Sequence, residues 1–350
     1  MTLVDEINAQ PNNASFHRAD LRIHSFGPDA SYDVTDEQMT AQGIVDTAIA
    51  ENLQIIAITD HNRIGNVQAA IDYASDKNIF VIPGVELSTP QGHLLVYFET
   101  SDALSRFVGK LDFCDEYKAC NNTMYQCLQQ AVEYGGIGIA AHIENSSGLA
   151  GPESKDNHFK EEVLRAPNLL ALEITNSANE PWFSDRDADD KRRELFRLRR
   201  DTLGYDEHYE IAKVLSSDSH TLGALGRNAS DSRKLTRLKM DTLTFEAFKI
   251  ALQDPVARVR LEDLIPENIP YFEGIKFQGG FLDNQVVRFS SNLTCVIGGR
   301  GTGKSTMLET LRCTSGNEAS SSLVDCEVWP ERATLLYRDE SGTLYEFSRS

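Results

Sequence analysis

From about residue 19 to residue 219, short apolar runs alternate with longer stretches of helical spacing. Residues 53–60 (LQIIAITD) predict a buried strand, residues 66–78 (NVQAAIDYASDKN) a helix, and residues 79–87 (IFVIPGVEL) the next strand. A further strand is predicted at 93–98 (HLLVYF) and a helix around 120–134. Apolar runs at 136–142 (GIGIAAH), 169–176 (LLALEITN) and 212–220 (AKVLSSDSH) complete the series. Strand–helix–strand alternation predicts parallel strands joined by crossover helices, an α/β architecture. Polar residues gather where the strands stop: Asp60, His61, Glu86, His142, Asn176, Asp218 and His220. In a parallel barrel the carboxyl ends of the strands form the active face.

Residues 185–200 (DRDADDKRRELFRLRR) open acidic and close basic, which suits a helix dipole, and Leu195 and Leu198 fall on one inward face. Two readings stand: a solvated amphipathic helix, or a contact to a phosphate backbone. The pattern breaks at 262–274 (EDLIPENIPYFEG), where two prolines and a polar cluster intervene. Beyond it come short strands and turns. The organisation expected is a tail at 1–16, a first domain at 17–265 and a second at 266–350, in keeping with 350 residues.

Composition narrows the classes. Hydrophobic residues make up 41% and charged residues 25%, enough apolar material for a large core. A net charge of −19 disfavours coating of nucleic acid by a generally basic surface but leaves a local groove open. Cys114, Cys120, Cys127, Cys295, Cys313 and Cys326 form no CxxC pair, so free thiols in a reducing cytoplasm are expected. No run of 18 apolar residues predicts a membrane span, and the acidic start MTLVDEINAQ does not read as a secretion signal.

On a strand, Asp20, Arg22 and His24 of DLRIHS share one face. His24 alone is no evidence of a metal. Five further segments add His, Asp or Glu at strand termini: ITDHN with His61, GVELS with Glu86, GHLLVYF with His93, AAHIE with His142, and SSDSH with Asp218 and His220. Imidazole and carboxylate together suit zinc, manganese or iron.

In order and wording these segments resemble the PHP (polymerase and histidinol phosphatase) superfamily, over about residues 17 to 230. The resemblance implies a distorted (β/α)7 barrel, two or three divalent ions and phosphoester hydrolysis by a metal-activated water. Carried over by position, His24, Glu86 and Asp218 would hold one ion. Glu86 would bridge to a second held by His93 and His142, and His61 and His220 would serve a third. Asp33, with Asp29 in reserve, fills the ligand place that follows the first motif. The sequence departs from the family at Arg22, where a His is expected. A guanidinium is always protonated and cannot ligate. Either the first ion is weakly held, or Arg22 clamps a substrate phosphate, or the site serves for binding only. Arg227 is a second candidate phosphate clamp, its alternative being a surface salt bridge.

Residues 298–305 (GGRGTGKS) fit G-x-x-x-x-G-K-[ST] between apolar LTCVI and helical TMLETLR. Gly298 and Gly303 would let the backbone cradle the phosphates of ATP, Lys304 would reach the β and γ phosphates, and Ser305, followed by Thr306, would bind Mg²⁺. Residues 271–350 resemble the opening lobe of ABC-type ATPases of the SMC kind, which implies a dimer through the complete ATPase domain. The run LLYRDE (335–340) reads as part of a hairpin turning at Ser341 and Gly342 rather than as a catalytic acidic strand. The chain ends before the catalytic half, so a truncated ATPase lobe without hydrolysis is expected. The domain order resembles TrlF-like PHP–ATPase proteins of bacteria. It implies a nuclease with nucleic acid and ATP as partners, in DNA repair or phage defence. A small-molecule phosphatase and a nucleotide-gated sensor with a silent barrel are the rivals.

Overall fold

Strands rich in Ile, Leu, Val and Ala, buried on both faces, build the larger of two units, Phe16–Asp263. They are β1 (Ser15–Ile23), β2 (Ile55–Ile58), β3 (Phe80–Val81), β4 (Gly84–Thr89), β5 (Gly92–Tyr97), β6 (Phe113–Cys114), β7 (Ala119–Cys120), β8 (Ile137–Ala140), β9 (Leu169–Glu173), β10 (Ala212–Val214), β11 (Thr236–Met240) and β12 (Val259–Arg260). The computed structural model describes residues 2–11, 14–151, 157–228, 232, 235–261, 269–291, 293–318 and 328–350. One sheet runs β12-β11-β1-β2-β3 and a second β10-β9-β8-β5-β4. Two bridges join them, His61 to Glu86 and Ile23 to Ser219, and close a ring of strands.

The parallel expectation holds for β1–β2–β3 and β8–β9–β10 but not for β5. β5 returns antiparallel to β4 through a tight turn, with Glu86 opposite Leu95, and lies antiparallel to β8 as well. Too few residues separate β4 from β5 for a crossover helix, which a parallel neighbour needs. The reversal matters for the site. His93 begins its strand, and so lies at the same end of the ring as residues that finish theirs. Around the ring, helices start on threonine caps: Thr40 accepts from Gly43 N, Thr100 from Ala103 N, Thr244 from Ala247 N, and Thr123 forms a capping box with Gln126.

The charged segment forms the helix Asp190–Leu203, capped by Asp189 and closed by Gly204 at φ 69°. Its arginines are paired within the fold. Arg192 pairs with Asp187, Arg193 with Asp190, and Arg197 and Arg200 with Asp185. Arg199 is buried and donates to the carbonyls of Leu164, Ala166 and Leu169 and to Tyr209 Oη. Internal acids thus neutralise this face, so the phosphate-backbone reading of the segment is withdrawn.

The second unit joins Met1–Ser15 to Leu264–Ser350. The first residues are therefore not a loose tail: helix Leu3–Asn8 belongs with this unit, Lys276 pairing with Glu6 at 2.5 Å. Four antiparallel strands, β13 (Tyr271–Gln278), β14 (Val286–Arg288), β15 (Arg332–Arg338) and β16 (Leu344–Arg349), run in the order β14-β13-β15-β16. Ile275, Phe277, Met307, Ala333 and Leu335 form the core of this unit. The hairpin turning through Gly342 is present. The apolar run before the glycine loop is not a strand here: residues 293–297 are irregular and Ile297 is 90% exposed. The expected boundary at 265 and Cys326 lie outside the described residues.

Candidate metal centre

One end of the ring collects the imidazoles. His24 follows β1, His61 follows β2, Glu86 lies within β4, His93 opens β5, His142 follows β8, and Asp218 and His220 follow β10. Asp33 comes from the loop after β1. Asp33 Oδ2 lies 3.4 Å from His61 Nε2 and 3.3 Å from His220 Nε2. The His24 ring stands 4.7 Å from that of His61 and 4.4 Å from that of His220. Beside this group, Glu86 Oε1 is 2.6 Å from His93 Nδ1 and 3.9 Å from His142 Nε2, and the two ring nitrogens are 3.1 Å apart. His61 connects the groups, its Nδ1 being 3.9 Å from Glu86 Oε1. A third set joins His24 Nε2 to Glu86 Oε2 at 3.4 Å and to Asp218 Oδ1 at 3.1 Å.

Hydrogen bonds fix which nitrogens face inward. Ser31 Oγ accepts the backbone N–H of His61 at 3.0 Å. Its 2.8 Å contact to His24 Nδ1 anchors the ring, which leaves Nε2 facing Glu86 and Asp218. His220 Nδ1 donates to the carbonyl of Asp218 at 2.8 Å, so its Nε2 is likewise presented towards Asp33. The loops pay a conformational cost: Asn62, His142 and Asp218 hold φ of 56°, 27° and 54°.

Electrostatics follow from burial and neighbours. Burial opposes ionisation of Glu86, but Arg22, His24 and His93 outweigh it and hold its carboxyl well below the usual range. Asp33 is also held low, against burial, by His220 and His61. Burial works against the His24 imidazolium too, yet bonds to Asp218 and Glu86 raise it to about 9. Burial, then the Arg22 charge, lowers His142 to about 4, so its ring stays neutral. Imidazole and carboxylate atoms at these separations fit a divalent cation: the atoms of His24, His61 and His220, and those of His61, Glu86 and His93, lie within 4.8 Å of one another.

Three candidates do not join the ligand atoms. Asp29 pairs with Arg63 at 2.7 Å. Arg227 lies 3.4 Å from Glu51, in the turn before β2 and thus at the opposite end of that strand from His61, so it is a salt bridge and not a clamp over this site. Arg22 is at the centre but buried, 4% exposed, and forked on Glu86 with Nε to Oε2 at 2.5 Å and Nη2 to Oε1 at 2.8 Å. Glu173 at 3.4 Å and Asp218 at 3.2 Å complete its surroundings. A substrate phosphate would have to displace a carboxylate to reach it.

Sequence reasoning missed Glu173 and Ser31. Glu173 is buried, accepts His142 N at 3.0 Å, and is pushed up to about 7 by burial. Its signal was a single acid closing the apolar run LLALE. Ser31, in an irregular loop, left none. Asp20, on the face shared with Arg22, accepts Ser217 N and Gly226 N, both at 3.0 Å, and so holds the segment before His220 in place.

The sequence profile of the PHP domain family matches residues 20–176, which span β1 to β9 and include six of the eight candidate ligands. No curated protein matches the chain by sequence. Among solved structures, the chain is similar to the lesion-specific endonuclease PfuEndoQ from Pyrococcus furiosus, at 16% identity and a TM-score of 0.50, over 75% of this chain and 62% of that one. It is also similar to Endonuclease Q in complex with a 27-mer duplex substrate bearing an abasic lesion at the active site. There the identity is 16% and the TM-score 0.51, over 70% of this chain and 58% of that one. The chain thus spans about six-tenths of the length of either endonuclease, and identities this low speak for a shared fold. Residues 20–176 are a PHP domain within a mixed α/β fold.

Proposed function

We propose that this chain is a divalent-metal phosphoesterase that cleaves phosphodiester bonds in nucleic acid. The observation that carries this reading is the adjacency of two ligand groups, Asp33–His61–His220 and Glu86–His93–His142, at one end of the strand ring. Manganese, zinc or iron bound there would supply a Lewis acid for a phosphoryl oxygen and a nucleophile from water at neutral pH. The chain's own residues do the positioning. Ser31 and the Asp218 carbonyl fix the His24 and His220 rings, and Glu173 holds the backbone N–H of His142. Glu86 and Asp33, kept ionised, provide the negative charge that gathers cations.

A nucleic-acid substrate is favoured by the surroundings of His61. The Tyr32 ring lies 5.5 Å from that of His61 and is 58% exposed, with Lys118 Nζ 5.9 Å from it. Tyr117 is 45% exposed and carries Arg63 over its face at 4.5 Å. Exposed aromatic rings beside cations suit stacked bases and a phosphate backbone, and such a local surface is compatible with the acidic whole. The fold shared with the two Endonuclease Q structures is in keeping with this reading. It makes DNA repair or phage defence the setting to examine. In the second unit, Lys304 Nζ donates to the carbonyls of Gly298 and Gly299 at 2.8 and 2.5 Å, with Gly301 and Gly303 at φ 82° and 83°. We read this loop as a site for ATP phosphates with Mg²⁺, and dimerisation through a complete ATPase domain as its context.

The test is cleavage of labelled single- and double-stranded oligonucleotides with Mn²⁺, beside p-nitrophenyl phosphate as a small substrate, with and without ATP. Metal-dependent oligonucleotide cleavage that disappears in Asp33→Ala and His142→Ala is expected. Turnover of the small phosphate alone would redirect the reading to a phosphatase. No turnover of either substrate would leave a binding protein.

A further inference from the structure

We propose that the Arg22 guanidinium takes the place of a metal ion, so that this chain binds two divalent cations although its ligand atoms are arranged in three groups. The inference rests on the metal-centre reading above. The group Asp33–His61–His220 pairs through imidazoles, and in Glu86–His93–His142 Arg22 touches one ligand atom, Glu86 Oε1, with Nη2 at 2.8 Å. The third group is His24 Nε2, Glu86 Oε2 and Asp218 Oδ1, with separations of 3.4 and 3.1 Å from the ring nitrogen. An ion coordinated there would sit about 2.0–2.2 Å from each ligand atom.

Arg22 already uses those oxygens. Its Nε is 2.5 Å from Glu86 Oε2 and its Nη2 3.2 Å from Asp218 Oδ1. A guanidinium does not give up its proton, and its planar fork matches a carboxylate on two atoms at once. A divalent ion on the same two oxygens would lie within a few ångströms of a permanent positive charge. Nor can the side chain swing away cheaply. It is 4% exposed, and Glu173 holds its Nη1 at 3.4 Å. The position is therefore charged and filled before any metal arrives.

The arrangement also divides the labour of the remaining ligands. Glu86 gives Oε2 to Arg22 Nε and shares Oε1 between Arg22 Nη2 at 2.8 Å and His93 Nδ1 at 2.6 Å, so only Oε1 faces an ion held with His93 and His142, and Glu86 serves one ion instead of bridging two. His24, excluded from an ion of its own, stands among His61 and His220, where its nitrogen is within reach of theirs. Arg22 thus acts as a positioning residue: it orients Glu86 and supplies a fixed charge where an exchangeable ion would otherwise be.

The experiment counts ions and needs no substrate. The full chain is stripped with chelator, reloaded in excess Mn²⁺, desalted, and measured by native mass spectrometry and by elemental analysis per chain. Two ions are expected in the wild type and three in Arg22→His, whose imidazole adds a ligand and removes the charge. Should Arg22→His not fold, Arg22→Gln removes the charge alone and is expected to take up a third ion at raised Mn²⁺ concentration. Three ions in the wild type, or two in a folded Arg22→His, would overturn the inference while leaving the metal centre standing. A wild-type chain without ions would sink the metal centre itself, and this inference with it.

Discussion

Changing Glu86 to Gln probes the centre of the site without altering its volume. Arg22 and Glu86 are 4% and 0% exposed and meet through two bonds, at 2.5 and 2.8 Å. Removing one member of a buried, bonded ion pair costs about 3–5 kcal/mol, because the other charge is stranded away from water. Glu173 and Asp218, at 3.4 and 3.2 Å from the guanidinium, keep part of its charge compensated, which places the loss near the lower bound, about 3 kcal/mol. For a unit of this size about 1 kcal/mol moves Tm by about 2–4 °C, so Glu86→Gln should lower it by about 6–12 °C. The assay is scanning calorimetry in chelator, so that metal binding contributes nothing. Arg22→Met should destabilise similarly, and the double variant by less than the sum of the two, the coupling being of order 2 kcal/mol. A shift under about 2 °C for Glu86→Gln, or strictly additive losses, would refute the reasoning that the pair is a single buried unit.

Ser31→Ala removes the hydroxyl that holds His24 Nδ1 and accepts from His61 N; Mn²⁺ affinity measured by calorimetric titration should fall about 10–100-fold while the fold is kept. Arg199→Met leaves three carbonyls and a phenol without their donor and should destabilise the fold in chemical denaturation by about 1–3 kcal/mol for each carbonyl left buried without a partner, with ion content unchanged. Glu173 is raised to about 7 in the folded chain, so the stability tied to its protonated form is complete below its unfolded pKa and is lost as pH rises through 7. In metal-free protein Glu173→Gln should therefore gain on the wild type between pH of about 4.5 and 7, by about 3 kcal/mol; equal pH profiles for the two proteins would contradict this.

The site was more legible than its surroundings. His24, His61, Glu86, His142, Asp218 and His220 lie where apolar runs end, and a strand that stops at a ring's rim leaves its last polar residue there. His93 could be read only as polar at a strand's beginning, since its place at the same rim depends on β5 running antiparallel, which a two-residue separation from β4 decides. Asp33 stood in a loop, where spacing says little about direction. Arg22 was legible as an exception but not as an ion pair, because its partners come from β4, β9 and the segment after β10, far away in the chain. The segment 185–200 left two readings open, because Asp185 and Asp187, which pair with arginines of the helix Asp190–Leu203, look like ordinary surface acids in the sequence. In the second unit, LTCVI had strand composition, but its residues are irregular and largely exposed.

The central claim is that the converging imidazoles and acids are a metal centre. Crystals grown with Mn²⁺, measured near the manganese absorption edge, address it without recourse to any reaction. The account predicts anomalous density within coordinating distance of Asp33, His61 and His220, and again of Glu86, His93 and His142. Manganese bound elsewhere on the chain, with these side chains still bonded to one another, would contradict it.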